Sequence, residues 1–153
     1  MNDTTQALER FVEAQQPVYA SACQELAAGS KRSHWMWFIF PQLRGLGHSA
    51  MAERYGIASA AQAAAYWQHP LLGPRLKACT ELMLANKSQS AHGILGSPDD
   101  MKFCSCMTLF AQVVPGEPVF GQALLRFCGG HPDERTLALL TTEGSSAGAP
   151  PHR

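Results

Sequence analysis

Apolar side chains recur at helical spacing along most of the chain, and polar residues, prolines and glycines between them mark expected helix ends. Leu8, Phe11 and Val12 share one face of a segment that Asp3 or Thr4 can cap and that runs into Pro17. Pro17 suits the first turn of a second helix lined by Val18, Tyr19, Cys23 and Leu26 and stopped at Gly29. "SAMAERY" predicts a short helix ending at Gly56, and "SAAQAAAYWQ" opens with Ser59 and Gln62 at capping-box spacing and ends at His69–Pro70. "GPRLKACTELMLANK" places Pro74 in a first turn and Leu76, Cys79, Leu82 and Met83 on one face. In "SPDDMKFCSCMTLFAQVV", Ser97 is expected to cap, Pro98 to take the first helical position, and Asp99 and Asp100 to complement the helix dipole. From Met101 to Val114 apolar or small residues fall on every side, which predicts a central helix packed all round. "EPVFGQALLRFCGG" and "HPDERTLALL" predict two more helices, and "TTEGSSAGAPPHR" a disordered tail.

One stretch breaks this pattern. "HWMWFIF" has no helical period and meets Pro41, which biases Phe40 toward an extended backbone. A short extended segment at residues 36–40 or an irregular helical turn would both suit it. The expectation is therefore an all-α single domain over residues 1–141, with about eight short helices around a central one at about 97–114, and a tail at 142–153.

Composition narrows the function classes. Hydrophobic residues make up 46 % and charged residues 16 %, a globular composition, and twelve basic side chains cancel twelve acidic ones. Neutral balance makes nucleic-acid binding unlikely on electrostatic grounds, and no apolar run is long enough for a membrane helix. No secretory signal is visible, and five cysteines are read as reduced thiols of a cytosolic protein. No Walker loop, G-x-G-x-x-G or G-x-S-x-G appears, and no cofactor is implied.

Three polar clusters could carry chemistry. Lys31, Ser33 and His34 precede the aromatic stretch, and Gln42 and Arg44 follow it, where a rigid segment meets loops. Trp35 and Trp37 could stack a flat ligand, or the aromatic run could be core. In "HPLLGPRL", His69 and Arg75 flank a helix start that would favour a phosphate or carboxylate, the plain alternative being a helix joint with a surface arginine. On the central helix, Lys102, Ser105 and Thr108 lie on or near one face, with Asp99 one turn before Lys102 as its natural partner. Asp99 or Asp100 could serve as acid or base toward a pocket, or simply sit well at a helix start. "CSC" is a C-x-C without a matching pair, so no metal site is expected. A nucleophilic Cys104 or Cys106 activated by His34, or a thiol sensor at these two positions, stays open beside the reading of both as small hydrophobes.

"GSKRSHWMWFIFPQLRGLGHSAMAERYGI", "HPLLGPRL" and "MKFCSCMTLF" resemble the bacterial family catalogued as domain of unknown function 1810, whose members have at times carried the label calpastatin. The resemblance covers roughly residues 7–140. The chain departs from the family pattern at Cys104 and Cys106, where serine or another residue usually precedes Met-Thr-Leu-Phe. The resemblance implies an all-α fold and leaves the activity open. "GSPDDMK" is also similar to the YbiA/NADAR group of small helical domains, linked to N-glycosidic bonds of ADP-ribose-like or aminopyrimidine–ribose-phosphate compounds. That similarity implies a phosphate-bearing, nucleotide-derived small molecule as ligand. Trp35 or Trp37 would stack its ring, and Lys31, Arg44 or Arg75 would hold phosphate. His34 with Asp99 or Asp100 would move a proton and orient water at the glycosidic carbon, whose positive transition state suits a nearby carboxylate. The competing expectation is a non-catalytic interaction module that binds a protein segment in an apolar groove around Trp35–Phe40.

Overall fold

The computed structural model describes residues 3–146, with side chains described for residues 6–142. Ten helices follow one another among the described residues: α1 (Asp3–Gln15), α2 (Tyr19–Ala28), α3 (Met36–Ile39), α4 (Ala50–Arg54), α5 (Ala60–Gln68), α6 (Leu72–Ala85), α7 (Ala91–Leu95), α8 (Asp99–Val113), α9 (Pro118–Phe127) and α10 (Glu134–Ser146). The fold is all-α, and among the described residues its one β-type pairing is an isolated parallel bridge between Leu43 and Ile57.

Local chemistry accounts for many of the ends. Ser49 accepts from the Ala52 N–H, Ser59 from Gln62, and Ser90 from Gly93. The Gln62 side chain reaches back in turn and accepts the Ala58 N–H, one residue before the Ser59 N–H that a capping box uses. At Gly29 the backbone turns left-handed with φ 75°, and the Gly29 and Ser30 N–H groups close onto Leu26 and Glu25 carbonyls.

Several expectations change. α2 starts at Tyr19 with Val18 at the cap position, so Pro17 precedes the helix and is not in its first turn. α1 already includes Asp3 and Thr4, so its cap lies outside the described residues. Of the two conformations open to residues 36–40, residues 36–39 take the helical turn and not the extended one, because the Trp35 carbonyl accepts from both Phe38 and Ile39 and Met36 accepts from Phe40. Ser97 does not cap α8: Pro98 holds the cap position, and the Met101 N–H goes to the Pro98 carbonyl and the Asp100 carboxylate. Residues 142–146, expected in the tail, belong to α10; residues 147–153, also expected there, lie outside the described residues.

The central helix is where its composition put it. α8 packs on α5, α7, α9 and α10, and Phe103 and the whole run from Ser105 to Phe110 are buried. Fully burying side chains such as Phe103, Met107 and Phe110 favours folding by about 1.5–3 kcal/mol each. Two aromatic series meet on this helix. Trp35, Phe40, Phe103 and Phe127 follow one another at centroid spacings of 6.4, 4.9 and 5.8 Å. Tyr66, Phe110, Phe120 and Trp67 do so at 5.6, 5.6 and 5.3 Å. Edge-on and tilted packing at these distances adds to the burial. Among the described residues no helix is long and apolar enough to cross a membrane.

Candidate functional site

The chain between α2 and α3 is clasped by a carboxylate. Glu25, near the end of α2, accepts the Arg32 and Ser33 N–H groups at 2.8 and 3.1 Å, the Ser33 hydroxyl at 2.6 Å and the Trp35 indole N–H at 2.8 Å. Burial pushes its carboxyl upward, but these donors outweigh that and hold it down to about 2. The Lys31 N–H donates to the Ile94 carbonyl at the end of α7, and its ammonium to the Ser33 carbonyl at 2.6 Å. That ammonium also lies 2.9 Å from Asp99 Oδ2, while Lys102 Nζ lies 3.7 Å from Asp99 Oδ1 and 4.5 Å over the Trp37 ring. Lys31, Ser33, Trp35, Trp37, Asp99 and Lys102 thus converge, but they face one another. Their hydrogen-bonding capacity fastens the segment to α2 and α8.

The other expected residues divide between structural posts and solvent. Trp35 is fully buried, so it cannot stack a ligand, and Met36, Ile39 and Phe40 are buried with it. Most of the stretch from Trp35 to Phe40 is thus spent on the core, with only Trp37 and Phe38 half-buried among the described residues. His34 is exposed and, among the described residues, has no hydrogen-bond or ion-pair partner, neither Asp99 nor a thiol. Arg44 donates to the Glu53 and Gly56 carbonyls at 3.0 and 3.2 Å and closes the loop around α4. Gln42 contributes its main-chain carbonyl to Ile57. His69 Nδ1 accepts the Leu71 and Leu72 N–H groups and caps α6. Arg75 donates to buried Gln15 at 3.2 Å and lies 4.3 Å over the Tyr19 ring, in a cluster distinct from the Lys31–Asp99 pair. Ser105 and Thr108 donate back to the Met101 and Cys104 carbonyls within α8.

The cysteines depart from expectation. Cys104 on α8 and Cys128 after α9 form a disulfide, with Cα atoms 6.0 Å apart, so not all five thiols are free. Cys106 is buried and burial pushes its thiol upward, which removes it as a nucleophile or sensor.

A groove of about 510 Å³ opens between α7, the first turn of α8 and the loop into α10. Its apolar lining includes Met101, Phe127 and the Cys104–Cys128 bridge. Asp100 lines it too, with its Oδ2 3.6 Å from His92 Nδ1, and His131 and Arg135 come from the loop and α10. Arg135 spends one N–H on the Leu46 carbonyl at 2.9 Å. Of the expected site residues only Asp100 lines this groove. His92, His131 and Arg135 were missed. The one local signal was "GGHPDER", where Gly129 and Gly130 take φ 68° and 77° just before His131 and a helix start. Among the described residues no three metal-ligating side chains cluster.

The sequence model of the family described as "Protein of unknown function (DUF1810)" matches residues 5–140. The chain belongs to the DUF1810 family. This DUF1810 domain is also similar to the crystal structure of the conserved hypothetical protein Rv1873 from Mycobacterium tuberculosis. The TM-score is 0.86 and the identity 55 %, over 88 % of this chain and 96 % of that one. No curated protein matches the DUF1810 chain.

Proposed function

We propose that this DUF1810 domain binds a phosphate-bearing, nucleotide-derived small molecule in the α7–α8–α10 groove, and that its candidate reaction is hydrolysis of an N-glycosidic bond. The observation that carries the reading is the make-up of the groove. An apolar lining from Met101 and Phe127 lies beside a carboxylate–imidazole pair, Asp100 with His92, and beside His131 and Arg135. The apolar part suits a base or nicotinamide-like ring, and an arginine guanidinium suits phosphate. In the reaction, water oxygen bonds to the glycosidic carbon as its bond to nitrogen breaks. Asp100 balances the positive charge that develops on the sugar, and the His92 imidazole takes the water proton while the leaving nitrogen is protonated from solvent. Lys31, Asp99 and Lys102 act behind the groove by fixing the first turn of α8. The similarity of "GSPDDMK" to the YbiA/NADAR group supports the ligand class, since this segment carries Asp100.

Thermal unfolding of the purified chain against ADP-ribose, NAD, ribose phosphates and simple nucleotides tests it. A ligand at about 100 times its Kd stabilises by about 2.7 kcal/mol, a shift of roughly 5–10 °C at this size. The shift should vanish in Asp100→Asn and Arg135→Ala and persist in His34→Ala. No shift with any of these compounds, or a full shift in Asp100→Asn, would sink the reading. Release of free base or ribose phosphate by the wild type then tests turnover.

A further inference from the structure

The two walls of the groove are joined by a covalent bond that itself lines it. Cys104 belongs to α8, beside Asp100 and Met101; Cys128 directly precedes the Gly129–Gly130 turn that leads to His131 and Arg135. Both cysteines are half-buried, whereas Cys79 and Cys106 are free and buried. Apart from the bond, residues 129–133 are tied mainly to their own neighbours, and the Asp133 carbonyl and carboxylate accept from Leu137 and Thr136 at the start of α10. The Gly130 and His131 N–H groups reach back to the Leu124 and Cys128 carbonyls, and the Asp133 N–H donates to Thr108 Oγ1 at 2.8 Å. Of these three, the Asp133–Thr108 bond alone ties the loop to α8.

We propose that Cys104–Cys128 is a thiol-exchange site, opened by a low-molecular-weight thiol entering the groove, and that opening loosens the wall carrying His131 and Arg135. A thiolate from the small molecule attacks one sulfur, forming a mixed disulfide and releasing the other cysteine as a thiolate, which takes a proton. A second small thiol attacks the mixed disulfide, so two cysteine thiols form and two small thiols leave as their disulfide; the bridge is reduced and the small thiol oxidised. Ligand capture in the groove then follows redox state. This last link rests on the small-molecule reading above; the exchange does not.

The test uses the full chain in reduced glutathione without denaturant, alkylated at intervals and mapped by peptide mass, with hydrogen exchange followed in parallel. Cys104 and Cys128 should become alkylated while Cys79 and Cys106 stay protected. The Asp133 amide should exchange about tenfold faster or more in the reduced chain. A Cys104→Ser, Cys128→Ser double variant should reproduce that faster exchange with no glutathione present. Opening of the bridge only together with exposure of Cys79 and Cys106, or unchanged exchange at Asp133, would overturn the proposal. Failure of ADP-ribose to bind in either redox state would overturn the small-molecule reading and its redox coupling, and would be distinguishable because neither alkylation nor exchange involves that ligand.

Discussion

Replacing Glu25 with glutamine removes one charge and turns one acceptor atom into a donor at a place where four donors converge: two backbone N–H groups, the Ser33 hydroxyl and the Trp35 indole. Three of them meet Oε1, which the amide oxygen can replace, and the NH2 meets the Ser33 hydroxyl, which can turn to accept; what is lost is the charge that strengthens all four bonds. The depressed pKa of the carboxyl sets the size of the effect. The carboxyl falls from its ordinary 4.5 to about 2 in the folded chain. By linkage that difference corresponds to about 3 kcal/mol at neutral pH. Glu25 is partly exposed, and solvent screening lowers the expectation to about 2 kcal/mol. Because the folded value is depressed, the stabilisation is complete above about pH 4.5 and is lost as pH falls toward 2. Urea unfolding of wild type and Glu25→Gln at pH 7 and pH 3 measures it, since other carboxylates cancel in the comparison. The gap should be about 2 kcal/mol at pH 7, or roughly 4–8 °C in Tm, and under half of that at pH 3. A gap of equal size at both pH values would refute the clasp as an electrostatic one.

Asp99→Asn leaves the Lys31 ammonium, whose side chain is 9 % exposed, without its carboxylate, and should cost about 3 kcal/mol in urea unfolding. Lys102→Met removes a longer, more exposed contact to the same carboxylate and should cost under about 1 kcal/mol. Thr108→Val strands the part-buried Asp133 N–H and should cost about 1 kcal/mol, whereas Thr108→Ser should stay close to wild type in the same assay. Gly73→Ala would drive a methyl group into the Trp67 carbonyl oxygen where α5 meets α6, and should cost about 3 kcal/mol or abolish soluble expression.

The helices were legible where one-dimensional signals act locally. Ser49, Ser59 and Gly29 end their helices through bonds to residues within four positions, so the pattern of residues carries the information. α8 was legible as central because apolar residues surround it on all sides. Residues 36–39 were ambiguous because four residues span barely one helical turn, too few for a period to show. Pairing across space was hidden. Nothing in the spacing of Cys104 and Cys128, 24 positions apart, tells that α9 folds back along α8. The Lys31–Asp99 pair bridges 68 positions and was expected only as two separate clusters, although Lys102 with Asp99, three positions apart on one helix, could be read directly.

The most distinctive block of the sequence turns out to be the most self-occupied. Lys31, Ser33 and Trp35 are specific residue types because each must meet a fixed partner: Asp99, and Glu25 twice. Such demands restrict a sequence as severely as a reaction does, so a recognisable motif is no guide to where a ligand sits. What the clasp does determine is the direction of its neighbour. Asp99 and Asp100 are consecutive in the first turn of α8, about 100° apart around the axis, so they cannot serve the same face. Holding Asp99 against Lys31 and Lys102 leaves Asp100 turned toward His92 and the groove. The block from Lys31 to Trp37 therefore acts on the candidate site from behind, by setting the rotation of α8. On this account Asp99→Asn and Asp100→Asn are separable by experiment: the first lowers stability, and the second abolishes ligand stabilisation while Tm without ligand changes little.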